Sequence, residues 1–166
     1  WIVVGAGTGG TSATIGRYVR YQRHATQVCV ADPAGSVFAA YHRTGDATLT
    51  APGSRIEGIG RPRVEASFVR TLVDRMDEVQ DVDSIVAMRA LSALLGRRVG
   101  PSTGTNFVAM LRLAQEMRAR GEQGSILSLL CDAGERYLPT YHDADWVRRC
   151  MGDCAAAEQR LREQLA

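Results

Sequence analysis

The sequence predicts an α/β domain in which a twisted parallel sheet is flanked by helices. Short β-prone runs alternate with amphipathic segments along the 166 residues, which is the pattern of parallel strands connected by helices. Glycine-rich turns follow two of the β-prone runs and lead directly into helical segments. A composition of 45% hydrophobic and 23% charged residues fits one globular domain or a large part of a bigger one.

The first elements form a strand, a turn, a helix and a second strand in succession. Residues 2–4 are apolar and β-prone, and they enter a glycine-rich turn that precedes a predicted helix over 11–23. A second strand is predicted over 27–31. Because no turn or cap precedes the first apolar run, we expect the chain to begin inside a strand of a larger fold.

A long segment, 34–67, is rich in Gly and Pro and shows little periodicity. This composition predicts an irregular excursion from the sheet. Connections of this length in compact domains are usually lids or binding loops. The segment therefore predicts a functional loop rather than an element of the core.

The rest of the chain continues the alternation of strands and helices. Residues 125–131 are the strongest strand prediction, because their apolar run suits a strand covered on both faces. The other predicted elements are, in order, a strand at 78–79, a helix over 82–95, a brief strand at 98–99, a turn over 100–105, a helix over 106–120, a short helix near Trp146 and a surface helix from Cys154 onward. We therefore expect one α/β domain over 1–152 and a helical tail over 153–166.

The charged residues exclude several classes of function. All 20 basic residues are Arg, and they are scattered among 18 acidic residues, so no basic stripe indicates a nucleic-acid partner. No apolar stretch has the length of a membrane span or the form of a secretory signal, so we expect a cytoplasmic protein without membrane contact. The absence of Lys means that no side chain here supplies a primary amine for a Schiff base.

The four cysteines do not predict a metal site. Cys29 and Cys131 lie in apolar runs and are expected to be reduced thiols of the core. Cys150 and Cys154 have a spacing that could offer two thiolates to a metal. No second pair and no nearby His completes four ligands, so we expect no metal there.

The first glycine-rich turn predicts an anion site. Residues 5–10 fit the pattern G-x-G-x-x-G, follow a strand and open a helix, and Asp32 ends the next strand. Glycines allow the backbone to approach an anion closely, and the start of the helix attracts negative charge. The pattern fits a dinucleotide or another phosphate, and a tight turn without a ligand is the alternative. Asp32 is either a ribose ligand or, with Pro33, turn chemistry.

Two further segments are expected at the same edge of the sheet. Residues 100–106 are small and hydroxyl-rich and lie between a predicted strand and a helix. Ser102 in this segment could also serve only as a helix N-cap. Residues 131–137 follow the strongest strand prediction. A nicotinamide or flavin site gives no reason for the hydroxyls of the second segment.

Four stretches in this order resemble the cysteine synthase and cystathionine β-synthase family, the fold-type II pyridoxal-phosphate enzymes. They are Gly7 to Thr11, Ile56 to Gly60, Gly100 to Asn106 and Gly134 to Leu138. Residues 55–65 are most similar to the L-cysteine desulfhydrase branch. The resemblance covers most of this chain and implies the tryptophan synthase β-like fold, pyridoxal 5'-phosphate as cofactor, cysteine or an activated serine as substrate, and a homodimeric parent.

The resemblance also implies roles for individual residues. The phosphate loop of the family corresponds to Gly7, Thr8, Gly9, Gly10 and Thr11 in this sequence. Ser102 matches the family residue that forms a hydrogen bond with the pyridine nitrogen, and a hydroxyl there makes the cofactor a milder electron sink than an Asp would. A mobile loop that closes over the substrate corresponds to Gly58, Ile59 and Gly60.

Two parts of the family pattern are missing. The Schiff-base lysine and the asparagine-containing loop that binds the substrate carboxylate belong to the amino-terminal half of the family, and neither occurs here. We therefore expect no catalytic residue in this chain, which resembles the second half of a lyase or synthase and is expected to be inactive alone. Two alternatives remain: an NAD- or FAD-binding oxidoreductase domain, and a non-catalytic remnant.

Overall fold

The computed structural model describes residues 1–165. The strands are β1 (Ile2–Gly5), β2 (Val28–Pro33), β3 (Arg75–Val79) and β4 (Leu127–Ser128). The α-helices are α1 (Gly10–Tyr21), α2 (Phe38–Thr44), α3 (Asp81–Leu95), α4 (Pro101–Ala119), α5 (Ala144–Met151) and α6 (Ala155–Leu165). Short 3-10 helices occupy Arg70–Leu72 and Gly134–Tyr137.

The sheet is parallel throughout and has the strand order β3-β2-β1-β4. β1 lies between β2 and β4, with Ile2 opposite Val28 on one side and opposite Leu127 on the other. All carboxyl ends therefore lie at one edge, which is where open parallel sheets bind ligands. The predicted class, a parallel sheet flanked by helices, is confirmed.

Helices cover both faces of the sheet because successive side chains of a strand point in opposite directions. Val3 and Cys29 pack against α4, where Leu113 is fully buried. Val4 and Val30 face the other side and pack with Phe38 of α2. The uninterrupted burial of β2 explains why its sequence is apolar rather than alternating.

α3 and α6 form a further layer outside α4. Ala157 and Leu161 of α6 pack with Val86 of α3 and Val108 of α4. The tail helix expected from the sequence is therefore present and buries one face. Residue 166 lies outside the described residues.

The long segment 34–67 is not irregular throughout. Its first part forms α2, which the Gly- and Pro-rich composition concealed. Asp32, at the end of β2, accepts a hydrogen bond from the backbone N–H of Ala39 (2.9 Å). This carboxylate satisfies a donor in the first turn of α2, so the start signal of the helix lies before the segment itself.

α4 begins earlier than predicted. Residues 101–105 were expected to form a turn before a helix at 106, whereas the helix begins at Pro101. Proline suits the first helical position because its fixed φ is helical and the missing N–H needs no partner there. Gly100 is the N-cap and no side chain caps this helix, so the interpretation of Ser102 as the N-cap is wrong.

The strongest strand prediction, residues 125–131, is wrong in length and burial. Only β4 (Leu127–Ser128) is a strand, and the side chains of Leu127, Leu129 and Leu130 are exposed. Within residues 1–165, β4 pairs with β1 alone, so one edge stays open. Cys131, expected in the core, is also exposed, whereas Cys29 is buried as predicted.

The expected strand at 98–99 is reduced to a single bridge between Val99 and Ala133. Gly100, the N-cap of α4, follows Val99 directly, so the chain turns into the helix and does not extend this bridge. None of the helices described in residues 1–165 is both long enough and apolar enough to span a membrane.

Candidate functional site

A cavity of about 410 Å³ opens at the carboxyl edge of the sheet. Four segments that are far apart in sequence form its wall: the turn after β1, the loop around Gly58, the first turns of α4 and the segment after β4. Of the predicted site residues, the wall includes Gly7, Thr8, Gly9, Gly10, Thr11, Gly58, Ile59 and Ser102. The structure therefore brings together almost every residue that the sequence singled out.

The turn between β1 and α1 forms a cup of backbone N–H groups. α1 begins at Gly10, and its first intrahelical hydrogen bond runs from Ala13 N–H to the Gly9 carbonyl (2.9 Å). The N–H groups of Gly10, Thr11 and Ser12 therefore precede the helical ladder, and no side chain caps them. No acidic residue lies in this first turn, so the positive end of the helix is free to attract an anion.

Glycine is required at position 9 for two reasons. Gly9 has φ of 86°, a left-handed conformation that other residues rarely adopt. A β-carbon there would also lie 2.5 Å from Cα of Phe68. The cup therefore has its shape because the backbone itself packs on the segment that contains Phe68.

The loop around Gly58 lies directly against the cup. The N–H of Gly60 donates to the Ala6 carbonyl (2.8 Å), and Nε of Arg61 donates to the Gly7 carbonyl (3.2 Å). Ile59 is buried in a hydrophobic cluster that also contains Tyr137. Gly58 and Ile59 therefore line the cavity. Gly60 does not lie on the wall, and its hydrogen bond to Ala6 connects the loop to the cup.

The first turns of α4 contribute two polar side chains on one helix face. Ser102 and Asn106 are one turn apart, both buried, and both on the cavity wall. The Asn106 amide nitrogen lies 3.5 Å from the Leu129 carbonyl, and its oxygen Oδ1 has no partner among the described residues. Asn106 was not predicted as a site residue, although its spacing of four from Ser102 is a signal in the sequence.

The segment after β4, which the sequence analysis expected at this edge, adds three side chains that were not predicted individually as site residues. Asp132, Arg136 and Tyr137 line the cavity. The Tyr137 hydroxyl donates to Asp132 Oδ2, and burial together with this hydrogen bond raises the pKa of Tyr137. Arg136 forms an ion pair with Glu57, which also lines the cavity.

Asp32 is not part of this cavity. It is buried at the end of β2, where it accepts the Ala39 N–H, and burial raises the pKa of Asp32 to about 6. Asp32, the residue that would bind a ribose in a dinucleotide site, therefore forms a hydrogen bond at the start of α2 instead. Of the two features that favoured a dinucleotide, only the glycine-rich turn remains.

The cavity fits a ligand with a phosphate at one end and a polar ring at the other. The cup supplies donors and positive potential, and the wall also includes the polar side chains of Ser102, Asn106 and Asp132. The described residues 1–165 contain no group of three or more His, Cys, Asp or Glu that could hold a metal ion. All four cysteines are free.

Comparisons with known proteins agree with this geometry. Residues 1–132 match the family described as pyridoxal-phosphate dependent enzyme. L-cysteine desulfhydrase Cds1 of Mycobacterium tuberculosis is 58% identical over 148 residues, which are 89% of this chain and 40% of the relative. Cysteine synthase 2 of Schizosaccharomyces pombe is 31% identical over 159 residues, again 89% of this chain and 40% of the relative.

Solved structures give the same result. The O-acetylserine dependent cystathionine β-synthase from Helicobacter pylori has a TM-score of 0.68 and 31% identity over 84% of this chain and 42% of its own. An O-ureido-L-serine synthase structure has a TM-score of 0.66 and 28% identity over 84% of this chain and 41% of its own. The chain spans about 40% of the length of the curated relatives named above. The family resemblance expected from the sequence is confirmed: this chain belongs to the pyridoxal-phosphate-dependent enzyme family.

Proposed function

We propose that this chain is the cofactor-binding part of an enzyme that degrades L-cysteine by β-elimination, releasing sulfide, pyruvate and ammonia. The observation that carries the proposal is the single cavity that joins the N–H cup of α1 to Ser102. The 58% identity to an L-cysteine desulfhydrase favours cysteine as the substrate and elimination as the reaction.

The cup is proposed to hold the phosphate of pyridoxal 5'-phosphate. Gly7, Gly9 and Gly10 let the backbone approach the phosphate, and the exposed hydroxyls of Thr8 and Thr11 add donors. A phosphate bound there would satisfy the N–H groups that precede the helical ladder of α1. The binding energy of the phosphate would then fix the ring against the opposite wall.

Ser102 is proposed to form a hydrogen bond with the pyridine nitrogen. It lies in the first turn of α4 and lines the same cavity as the cup, and its helix is anchored by packing on the sheet. When bound, the cofactor supplies an electron sink that stabilises the negative charge formed when the substrate loses its α proton. Ser102 would orient the ring for that task.

The loop with Gly58, Ile59 and Gly60 is proposed to cover the substrate. Gly58 and Gly60 have positive φ, of 89° and 73°, so both can absorb backbone rotation. Its closure would exclude water from the reacting atoms. The burial of Ile59 and the ion pair of Glu57 with Arg136 would stabilise the loop in its position against the cavity.

The proposal requires a primary amine from outside this chain. The sequence contains no Lys, so the lysine that binds the cofactor covalently would come from another part of the protein or from a separate polypeptide. We propose that 1–152 belong to the cofactor domain and 153–166 form its tail, in a cytoplasmic homodimer. A non-catalytic remnant would have the same cavity without the amine.

The test is an assay of the complete enzyme with pyridoxal 5'-phosphate. L-cysteine as sole substrate should give sulfide and pyruvate in equal amounts. Cysteine formed from O-acetylserine and sulfide, without release of pyruvate, would instead establish β-replacement, for which the similarity to cysteine synthases is the supporting observation. Bound cofactor without either reaction would contradict a role in cysteine metabolism.

A further inference from the structure

Three successive backbone carbonyls of the cup are bound by the segment 60–67, which does not line the cavity. They are the carbonyls of Ala6, Gly7 and Thr8, which accept hydrogen bonds from Gly60 N–H (2.8 Å), Arg61 Nε–H (3.2 Å) and Ser67 Oγ–H (2.7 Å), in that order. In a trans peptide the C=O and N–H groups point in opposite directions, so the N–H groups of residues 7–9 point away from this segment. The segment therefore orients the peptide groups of the cup.

The N–H groups of residues 7–11 have no acceptor in the protein. Within residues 1–165, none of them donates a hydrogen bond to a backbone carbonyl, and all five residues line the cavity. Successive N–H groups of this kind form a concave site for an anion. The three bound carbonyls and the free N–H groups belong to the same turn, so what binds the carbonyls also affects the anion site.

Arg61 is the one charged group among the three donors that bind these carbonyls. Within residues 1–165, it is also the only basic side chain that donates a hydrogen bond to residues 5–11. Its Nη2 lies 3.9 Å from the position that a β-carbon of Gly7 would occupy. A cation at the Gly7 carbonyl polarises that peptide group, so the Thr8 N–H at its other end becomes a stronger donor.

Glu65 does not neutralise Arg61. An oxygen of Glu65 lies 4.0 Å from Nε of Arg61 and also 4.0 Å from Nε of Arg63. One carboxylate therefore faces two guanidinium groups, and neither distance is that of a hydrogen bond. Partly exposed ion pairs of this length are weak, so the positive charge of Arg61 can still act on the cup.

We propose that Arg61 strengthens phosphate binding through the Gly7 carbonyl and is a positioning residue of the cup. The inference rests on the proposed function and refines it, because the backbone N–H groups and the two Thr hydroxyls assigned to the phosphate carry no net charge. Arg61 acts without touching the phosphate: it orients the peptide group between Gly7 and Thr8 and places a positive charge behind the Thr8 N–H. The charge acts over this distance because a partly buried site screens it less than water does.

The test compares two ligands of the complete enzyme in its apo form: pyridoxal 5'-phosphate, and pyridoxal, which lacks the phosphate. Fluorescence titration gives both dissociation constants for the wild type, Arg61→Gln and Arg61→Lys. The ³¹P chemical shift of the bound cofactor reports the surroundings of the phosphate itself. Arg63→Gln is the matched control, because Arg63 approaches the same Glu65 but is exposed and donates no hydrogen bond to the cup within residues 1–165.

Arg61→Gln should raise the dissociation constant of pyridoxal 5'-phosphate by roughly 3- to 30-fold and change its ³¹P shift. The dissociation constant of pyridoxal should change by less than about twofold, because the lost interaction acts on the phosphate. Arg61→Lys keeps the charge and should recover part of the lost affinity. Arg63→Gln should bind both ligands like the wild type.

Equal dissociation constants of pyridoxal 5'-phosphate in the wild type and Arg61→Gln would overturn the inference. An equal loss of affinity for pyridoxal would also overturn it, because Arg61 would then shape the cavity and not the phosphate site. The same holds for an equal loss in Arg61→Lys or in Arg63→Gln. A wild-type enzyme that binds pyridoxal 5'-phosphate no more tightly than pyridoxal would instead overturn the phosphate cup and with it the proposed function.

Discussion

Gly7 and Gly58 face each other so closely that a β-carbon on Gly7 would lie 2.5 Å from the Gly58 carbonyl oxygen. The cup after β1 and the loop around Gly58 therefore meet through their backbones. Hydrogen bonds from Gly60 and Arg61 hold the two segments in this arrangement. Because the two segments are in direct contact, we expect phosphate binding at the cup to depend on the position of the loop.

Gly7→Ala should separate the two loops and weaken cofactor binding. The added methyl group collides with backbone, which is rigid, and overpacking of this kind costs about 1–3 kcal/mol. The dissociation constant of pyridoxal 5'-phosphate should rise by roughly 5- to 150-fold, measured by fluorescence titration of the complete enzyme. Gly124→Ala is the control, because its methyl group meets only the flexible end of Met117 at 3.2 Å. Equal affinity in both variants would refute the coupling.

Gly9→Val should abolish binding of the cofactor phosphate. A β-branched residue is strained at φ of 86°, and its β-carbon would collide with Phe68. Gly96→Val is matched for backbone strain, because Gly96 has φ of 64° at the end of α3 and open space around it. The control should lose stability but keep its affinity for the cofactor. Unchanged affinity for the cofactor in Gly9→Val would contradict the assignment of the phosphate site to this cup.

Ser102→Ala should leave the cofactor bound while slowing turnover. One hydrogen bond to the ring is lost, and bonds of this kind contribute about 1.5–4 kcal/mol, equivalent to roughly 10- to 1000-fold in kcat. The phosphate contacts are untouched, so the dissociation constant should change little. Ser125→Ala, at an exposed position away from the wall, is the control. Wild-type kcat in Ser102→Ala would exclude a contact with the ring.

The Asp32→Asn variant should lack the fall in the free energy of unfolding that the buried Asp32 carboxylate causes in the wild type as the pH rises to neutral. Burial raises the pKa of Asp32 from 3.8 to about 6, so between about pH 4 and 6 the native state binds more protons than the unfolded state. The free energy of unfolding contributed by this group therefore falls as the pH rises through that window, by up to about 3 kcal/mol. An Asn oxygen still accepts the Ala39 N–H.

Urea unfolding at pH 4, 6 and 8 measures this effect. The wild type should lose up to about 3 kcal/mol more than Asp32→Asn between pH 4 and 8. Asp145→Asn, at an exposed position, should follow the wild type. Parallel pH profiles for the wild type and Asp32→Asn would mean that Asp32 is not destabilised by burial.

The elements that could be predicted from the sequence are those whose signals are local. The turn around Gly7 and Gly9 lies between an apolar strand and an amphipathic helix, and the structure contains this unit as expected. The prediction of a buried strand over 125–131 is wrong because an apolar run indicates only a tendency to be buried. Whether the run is buried depends on its neighbours in the sheet. β4 has only one neighbour within the described residues.

The residues of the cavity wall that belong to sequence motifs were predicted. Those that tertiary contacts bring to the wall were missed. Ser102 followed from its place in a hydroxyl-rich segment. The position of Asp132 depends on Tyr137 and Gly100, which contact it through hydrogen bonding and packing and not through a sequence pattern. Asn106 was missed because the start of α4 was placed at residue 106, five residues too late, so that Ser102 and Asn106 were not recognised as neighbours on one helix face.

The most direct test is the position of the cofactor in a crystal structure of the complete enzyme with pyridoxal 5'-phosphate. The phosphate should lie within hydrogen-bond distance of the backbone N–H groups of Gly10 and Thr11, at the start of α1. The ring nitrogen should then face Ser102 across the cavity. A phosphate bound elsewhere, or a ring turned away from Ser102, would contradict the account.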